Sequence, residues 1–375
     1  MNRVIRYGVT GAGYIGAEQA RVIDGLEGAE LVAVHSGTGE GARRVAAELG
    51  CEVAETLIEL VARDDIDALI VASPNNLHRE PVELAAQHGK HVFCEKPFAL
   101  SLEDADAMIA ACREAGVTLM VGHMMHFYSG VMRIKQWIDE GVIGKPLVAH
   151  VERTGWEDPQ PHVSWKKQQS QSGGHLFHHI HEIDLLQWLM GPASSVYAVG
   201  GNLAHQGEGF GDEDDALLLT LEFASGAFAT MQYGSAFHWG EHFLKVNGSK
   251  GAIRMSHKEA VIDLLLPGQG VQRFPLFDDA ASQESLLELF KRTHGGSTYG
   301  KPTDRPPHYL TYAVAEELGY FNEVLGGRPV DELRKPLFDG SAARAAVAVA
   351  ETALASRRTG VPCDIPPRNS QRLGR

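Results

Sequence analysis

Three stretches of this 375-residue chain carry side chains whose types and spacing could do chemistry. In the first, Gly11-Ala12-Gly13-Tyr14-Ile15-Gly16 follows a β-like run, Ile5 to Thr10, and opens a helical pattern that reaches about Leu26. A GxGxxG match alone is weak, but a strand before it and a helix after it are the context a dinucleotide needs. Gly11 would make the tight turn, Gly13 would let the backbone approach a pyrophosphate, and Gly16 would let helix and strand pack closely, with the helix N-terminus facing the anion. In the second stretch, the apolar run His91 to Cys94 ends abruptly in Glu95-Lys96-Pro97. That places a carboxylate and an ammonium at the carboxyl edge of a strand, where open α/β sheets bind ligands, and Pro97 halts the ladder because it has no N–H to donate. An isolated Glu-Lys pair is worth little, but at that edge the lysine can reach a cofactor or a reacting hydroxyl. The third stretch packs four histidines into seven residues, His175, His178, His179 and His181, followed by Glu182 and Asp184. On one helix, His178, His181 and Glu182 share a face, and His181 reaches Asp184. Such a cluster reads as a metal site, a titratable catalytic site, or core histidines satisfied by hydrogen bonds, the last being the ordinary state of any one buried histidine.

The elements that must hold these residues alternate regularly through the first third of the chain. Strands are expected at Ile5 to Thr10, Leu31 to His35, Ala68 to Ala72, His91 to Cys94 and Leu119 to Gly122, with helices between them. That alternation predicts a parallel sheet covered by helices on both faces. It also puts Ser73-Pro74-Asn75-Asn76-Leu77-His78 on the ligand-facing edge. At the end of the second strand, where an acidic residue would hold the ribose hydroxyls of NAD, Ser36 stands with Gly37 and Thr38, which leaves room for a 2′-phosphate that Arg43 or Arg44 could neutralise. The expectation is NADP or NAD, leaning to NADP.

After Gly122 the pattern changes to hairpins: Ala216 to Phe223 with Ala227 to Tyr233, His242 to Val246 with Ala252 to Met255, and Val261 to Leu266 with Val271 to Phe274. Leu147 to Glu152 is expected to be the first strand of that antiparallel sheet. The segment around His181 to Leu189 is apolar nearly all round, as a buried helix is, and Gly191-Pro192 ends it. His308 to Arg358 is expected to be helical and to pack back on the first domain. The fold class is therefore α/β, with an N-terminal dinucleotide-binding domain, 1–123, and an α+β domain with a large, mainly antiparallel open sheet, 124–365, before a mobile tail at 366–375.

Composition narrows the partners. A chain of this length exceeds what one hydrophobic core usually organises. Its net charge of −14, from 34 basic against 48 acidic residues, disfavours nucleic acid. No apolar stretch approaches membrane-spanning length. Cys51, Cys94, Cys112 and Cys363 lack a CxxC pair, so neither a zinc knuckle nor a disulfide framework is expected, and a cytoplasmic location fits.

In that order and spacing, the motifs GAGYIG, SPNNLH and CEKP resemble those of the glucose-fructose oxidoreductase / inositol dehydrogenase / rhizopine-catabolism family of NAD(P)-dependent oxidoreductases, over nearly the whole chain. The resemblance implies a Rossmann domain in which Gly11, Gly13, Tyr14, Ile15, Gly16, Ser36, Gly37, Arg43, Ser73, Pro74, Asn75, His78, Glu95, Lys96 and Trp165 hold the cofactor. It further implies that Glu95 and Lys96 border the nicotinamide, that Lys96-Pro97 is a cis peptide, and that Trp165-Lys166 is the family's aromatic-basic pair. His181 becomes the acid-base and Asp184 orients a sugar or cyclitol, with Lys96, His126, Lys166 and His178 as further substrate contacts. Two positions depart from the family: His123 to Phe127 stands where an asparagine and an arginine are usual, and Phe177 replaces an aspartate, a loss for which His178 or His179 could compensate.

The activity these observations imply is hydride transfer between a nicotinamide and a secondary hydroxyl or ketone of a sugar, cyclitol or glycoside, by a homo-oligomer associating through the C-terminal sheet. Two alternatives stand beside it. One is a redox-neutral enzyme with a recycling cofactor that cleaves a glycoside or interconverts epimers through a transient ketone; the other is a nucleotide-sensing regulator without turnover.

Overall fold

A computed structural model describes residues 3–293 and 300–367. Most of the tail expected at 366–375 lies outside those residues. The chain divides into two compact units: the described residues of Met1–Met124 with Tyr299–Arg344, and those of Met125–Thr298 with Ala345–Arg375.

The first unit is built on six parallel strands, β1 (Ile5–Thr10), β2 (Ala29–His35), β3 (Glu52–Val53), β4 (Ala68–Val71), β5 (His91–Glu95) and β6 (Leu119–Gly122), in the order β3-β2-β1-β4-β5-β6. Every residue of β4 and β6 is buried, as expected of strands covered on both faces. Strand order reverses between β1 and β4, and the turns after these two strands abut: a Cβ on Gly11 would lie 2.3 Å from the Ala72 carbonyl carbon. This is the switch point at which open sheets hold ligands. Local signals set the covering helices. Helix Leu102–Ala115 is capped by Ser101, whose hydroxyl accepts from Asp104 N at 3.1 Å, and stops at Gly116 in the left-handed region. Helix His308–Leu325 also belongs to this unit, and Tyr7 donates its hydroxyl to Asn322 Oδ1 at 2.9 Å.

The second unit carries nine strands: β7 (Pro146–Thr154), β8 (Ala193–Gly201), β9 (Ala216–Phe223), β10 (Phe228–Gly234), β11 (His242–Gly248), β12 (Ala252–Ser256), β13 (Val261–Leu266), β14 (Gly270–Pro275) and β15 (Cys363–Asp364). Their order is β14-β13-β12-β11-β7-β10-β9-β8-β15, antiparallel except where β7 runs parallel to β10. Alternation along β9 buries Leu217, Leu219, Leu221 and Phe223 and exposes the residues between them, the period of a sheet with one covered face. The three expected hairpins are present, and β8, which no tight turn joins to the strand after it, was not anticipated.

One expectation needs correcting. The stretch from His308 to Arg358 is not all packed on the first unit: the division falls inside helix Ser341–Thr359, and Ser356 accepts from Ala198 N on β8 at 3.1 Å.

Candidate active site

In the first unit, geometry gives each glycine of GAGYIG a separate reason. Gly11 has φ +96° and no room for a side chain, and a Cβ on Gly16 would lie 1.8 Å from the Gly11 carbonyl oxygen. Gly13 is different: nothing lies within 4 Å of where its Cβ would be. Packing thus demands Gly11 and Gly16, whereas the space over Gly13, at the start of helix Tyr14–Gly25, is an open cradle. An open cradle at an uncapped helix N-terminus suits a pyrophosphate. Tyr14 contributes backbone to that turn while its ring packs against the Gly300 backbone, and Ile15 lies half-buried beside it.

Around this turn the other expected cofactor residues divide into lining and support. Ser36 Oγ accepts from Ala42 N at 3.2 Å, and Gly37 is exposed. Arg43 curls over Gly39, but it is Arg44 that reaches the glycine-rich turn, donating to the Ala12 carbonyl at 3.0 Å. Ser73, Pro74 and buried Asn75 follow β4. His78 is fully buried, with Nδ1 2.9 Å from the Pro97 carbonyl and Nε2 3.0 Å from the Ser73 carbonyl. The ring therefore clamps two edge loops together, with both nitrogens at backbone carbonyls. Burial lowers its pKa, against the pull of those carbonyls.

Lys96-Pro97 is cis, as the family resemblance implies. Glu95 lies buried at the end of β5, its Oε1 accepting from the Gln19 amide at 2.6 Å and its Oε2 from Lys96 N at 3.1 Å. Burial pushes its carboxyl up, while the Lys96 ammonium and the two amides favour its charge. Lys96 is half-buried at the sheet edge.

In the second unit the histidine-rich stretch is not one helix. Helix Gln169–Ser172 ends at Gly173 and Gly174, both in the left-handed region; Gly174–His178 is a second short helix, and His181–Met190 a third. The expected common face of His178, His181 and Glu182 is thereby broken, because a helix ends between the first two. His181 opens the last helix and is buried. One turn on, Asp184 Oδ2 lies 2.6 Å from His126 Nε2 with both side chains buried, and the His126 ring sits 4.0 Å from Trp188. Asp184 and His126, both expected to touch substrate, therefore meet each other.

Glu182 points to the sheet instead. It accepts from Arg153 on β7 at 3.0 Å and lies 2.8 Å from His242 Nε2 on β11. Burial alone would raise its carboxyl, but Arg153 and His242 outweigh it and hold the group far below the usual carboxylate range. His175 is buried with Nε2 3.4 Å from Ser235 Oγ and 3.5 Å from Glu213, and burial together with Lys167 and Arg153 keeps it neutral. Its ring stacks on His179, and the His179 ring meets His178 edge-on. Among the described residues, no three His, Cys, Asp or Glu side chains converge as a metal ion requires.

Trp165 and Lys166 share a short 3-10 turn, half-buried. The next residue, Lys167, is the buried one, paired with Glu157 and, at 2.7 Å, with Glu213. Burial pushes Glu213 up to about 7 against the pull of Lys167. Sequence reasoning passed over this cluster; its one signal was the acidic run Asp212-Glu213-Asp214-Asp215.

Comparison with known proteins agrees with this geometry. The family described as "Oxidoreductase family, NAD-binding Rossmann fold" matches residues 5–123, and its partner, "Oxidoreductase family, C-terminal alpha/beta domain", matches 135–365. The chain belongs to this oxidoreductase family. It is 44% identical to 2,7-anhydro-N-acetylneuraminate hydratase of Mediterraneibacter gnavus, over 95% of both chains. To the hydratase of that name from Escherichia coli it is 43% identical, over 94% of this chain and 95% of the other. Levoglucosan dehydrogenase, solved with NADH and levoglucosan, shares the fold with a TM-score of 0.80, covering 96% of this chain and 99% of the other at 21% identity. The protein is thus an enzyme of the NAD-binding oxidoreductase class, and no helix among the described residues is long and apolar enough to cross a membrane.

Proposed function

We propose that this enzyme acts on a secondary hydroxyl of an anhydro sugar acid and that its net reaction is addition of water. The carrying observation is that the open Gly13 cradle and the Glu95-Lys96 edge occur in a chain 43–44% identical, over nearly its full length, to two hydratases of such a compound. A nicotinamide held at the Gly13 cradle and the Glu95-Lys96 edge would supply reversible hydride transfer at a ring carbinol, the chemistry that makes the neighbouring C–H acidic enough for the bridging oxygen to leave and for water to add in its place. His181 takes the hydroxyl proton, because an imidazole's ordinary pKa lies near working pH. The Lys96 ammonium stabilises developing alkoxide charge, and the His126–Asp184 pair holds the start of helix His181–Met190 in place. Retention of Lys96, His181 and Asp184 speaks against a regulator without turnover.

The test is incubation with 2,7-anhydro-N-acetylneuraminate and substoichiometric NAD or NADP. Free N-acetylneuraminate is expected, with no lasting rise in reduced-cofactor absorbance. Stoichiometric reduced cofactor from a cyclitol, with no hydration, would instead establish a simple dehydrogenase. Ser36-Gly37-Thr38 offers no carboxylate to repel a 2′-phosphate, and on that ground the enzyme accepts NADP at least as well as NAD. The open face of the nine-stranded sheet exposes Val148, Tyr197, Val199, Leu218 and Phe228, an apolar surface suited to a second copy of the chain.

A further inference from the structure

Glu317 is a buried ionisable group that the proposed chemistry leaves unused. It lies on helix His308–Leu325 within the first unit, 0% exposed, and neither of its carboxyl oxygens has a hydrogen-bond partner. A carboxylate in that state would cost several kcal/mol, whereas a neutral acid costs far less. One turn further along the same helix the Phe321 ring lies 5.8 Å from that of Phe93, two residues before Glu95 on β5, and the groups whose charge Glu317 feels are Glu95 and Lys96. Glu95 has everything an anion needs: the Gln19 amide at 2.6 Å, the Lys96 N–H at 3.1 Å and the Lys96 ammonium next in sequence. Glu317 has none of these. Two neighbouring buried carboxyls cannot both ionise cheaply, so the better-solvated one takes the charge and the other keeps the proton.

We propose that Glu317 is a positioning residue for the Lys96 edge: as a neutral carboxylic acid on the helix packed against β5, it leaves Glu95 the single anion balancing Lys96 where the nicotinamide binds. Burial and the Glu95 charge both raise its pKa well above the carboxylate range. Ionising Glu317 would put a second negative charge beside Glu95, strengthening the hold of the two carboxylates on the Lys96 ammonium and weakening what that ammonium offers a ligand. The sign of the stability effect follows. An acid whose folded pKa is raised contributes fully below its unfolded pKa, near 4.3, and that contribution falls as pH climbs towards its folded value.

Three readouts test this, none depending on the sugar substrate. Infrared spectra of the wild-type protein labelled with 13C-carboxyl glutamate should keep a protonated-acid band at pH 8, above the value of about 7 to which burial pushes Glu213, and Glu317→Gln should lose it. Between pH 7 and pH 9 the wild-type melting temperature should fall more than that of Glu317→Gln. NADH affinity, followed by fluorescence, should weaken with pH in the wild type over the window in which the band disappears and lose that dependence in the variant. Absence of the band from wild type at pH 8 would overturn the proposal without any variant needing to fold. So would a band that survives in Glu317→Gln, or parallel pH dependence of melting and NADH binding in the two proteins. Failure of the hydratase assignment would leave all three readouts unaffected.

Discussion

The glycine-rich cradle spans six residues, Gly11 to Gly16, and the histidine-rich segment ten, His175 to Asp184, and they are built on different principles. The cradle is a backbone object: Gly11, Gly13 and Gly16 are near neighbours in sequence, and two of them are fixed by contacts with adjoining backbone, the Gly11 carbonyl and Ala72-Ser73. The histidine segment is a side-chain object, and its partners come from far along the chain. His126 lies 58 residues from Asp184, and Glu182 is held by Arg153 and His242, 29 and 60 residues away. A backbone motif carries its geometry with it, whereas a side-chain network exists only once the sheet register is set. The two should therefore fail in different ways when altered.

The largest effect is expected at His181. If it exchanges the hydroxyl proton, His181→Ala should lower kcat by about 100-fold to 10,000-fold with a smaller change in substrate binding, measured with 2,7-anhydro-N-acetylneuraminate. Lys96→Ala should cause comparable loss. His178→Ala is the control, because the helix break separates it from His181; a greater loss there would move the acid-base role to His178.

Glu182 tests the network as structure. Glu182→Ala removes the buried carboxylate that Arg153, 30% exposed, and His242 share and should cost about 1–3 kcal/mol in urea unfolding. Because the folded carboxyl is held far below its unfolded value, its contribution is present above the unfolded pKa near 4.3 and is lost only as pH falls towards the folded value. Glu182→Gln should accordingly flatten the acid side of the stability profile. An unchanged acid slope would mean that the ion pairs with Arg153 and His242 contribute nothing.

These contrasts explain what could be read from the sequence. The Gly11 turn, the end of the β5 ladder at Pro97 and the three hairpins were legible because short-range chemistry specifies them: φ above zero, a missing N–H, and turn residues between alternating runs; the cis form of Lys96-Pro97 came only from the family resemblance. The break between His178 and His181 was not legible, because the apolar pattern continues across it and only the left-handed Gly173-Gly174 pair ahead of it hints at a change of direction. Lys166 was singled out by the resemblance of Trp165-Lys166 to the family's aromatic-basic pair, and nothing local marks Lys167, whose partners Glu157 and Glu213 lie 10 and 46 residues away. The partnership of His126 with Asp184 needed the tertiary fold itself.

Within the cradle, Gly13 and Gly16 sharpen the comparison further. Gly16→Ala drives a methyl into the Gly11 carbonyl oxygen at 1.8 Å and should destabilise the protein by about 1–3 kcal/mol. Gly13→Val meets no protein atom near its Cβ, so the cofactor-free melting temperature should barely move while NADH affinity drops. Equal NADH affinity in Gly13→Val and wild type would show that the open space is not where the pyrophosphate sits.

The smallest effect is expected at Ser36, where the backbone and side-chain principles meet. Its hydroxyl accepts from Ala42 N at 3.2 Å, and an aspartate carboxylate can accept that same N–H, so Ser36→Asp should leave the start of helix Glu40–Leu49 intact. What changes is charge. A carboxylate there accepts from the ribose hydroxyls of NAD and repels a 2′-phosphate, and at a half-exposed position the repulsion is worth about 1 kcal/mol, roughly fivefold in relative affinity. The ratio of NADP to NAD affinity should fall by that factor in Ser36→Asp, and Arg44→Ala should lower it too if the guanidinium on the Ala12 carbonyl also serves the phosphate. A wild type that already prefers NAD strongly, with a ratio that Ser36→Asp leaves unmoved, would show that neither Ser36 nor the two arginines faces the 2′ position.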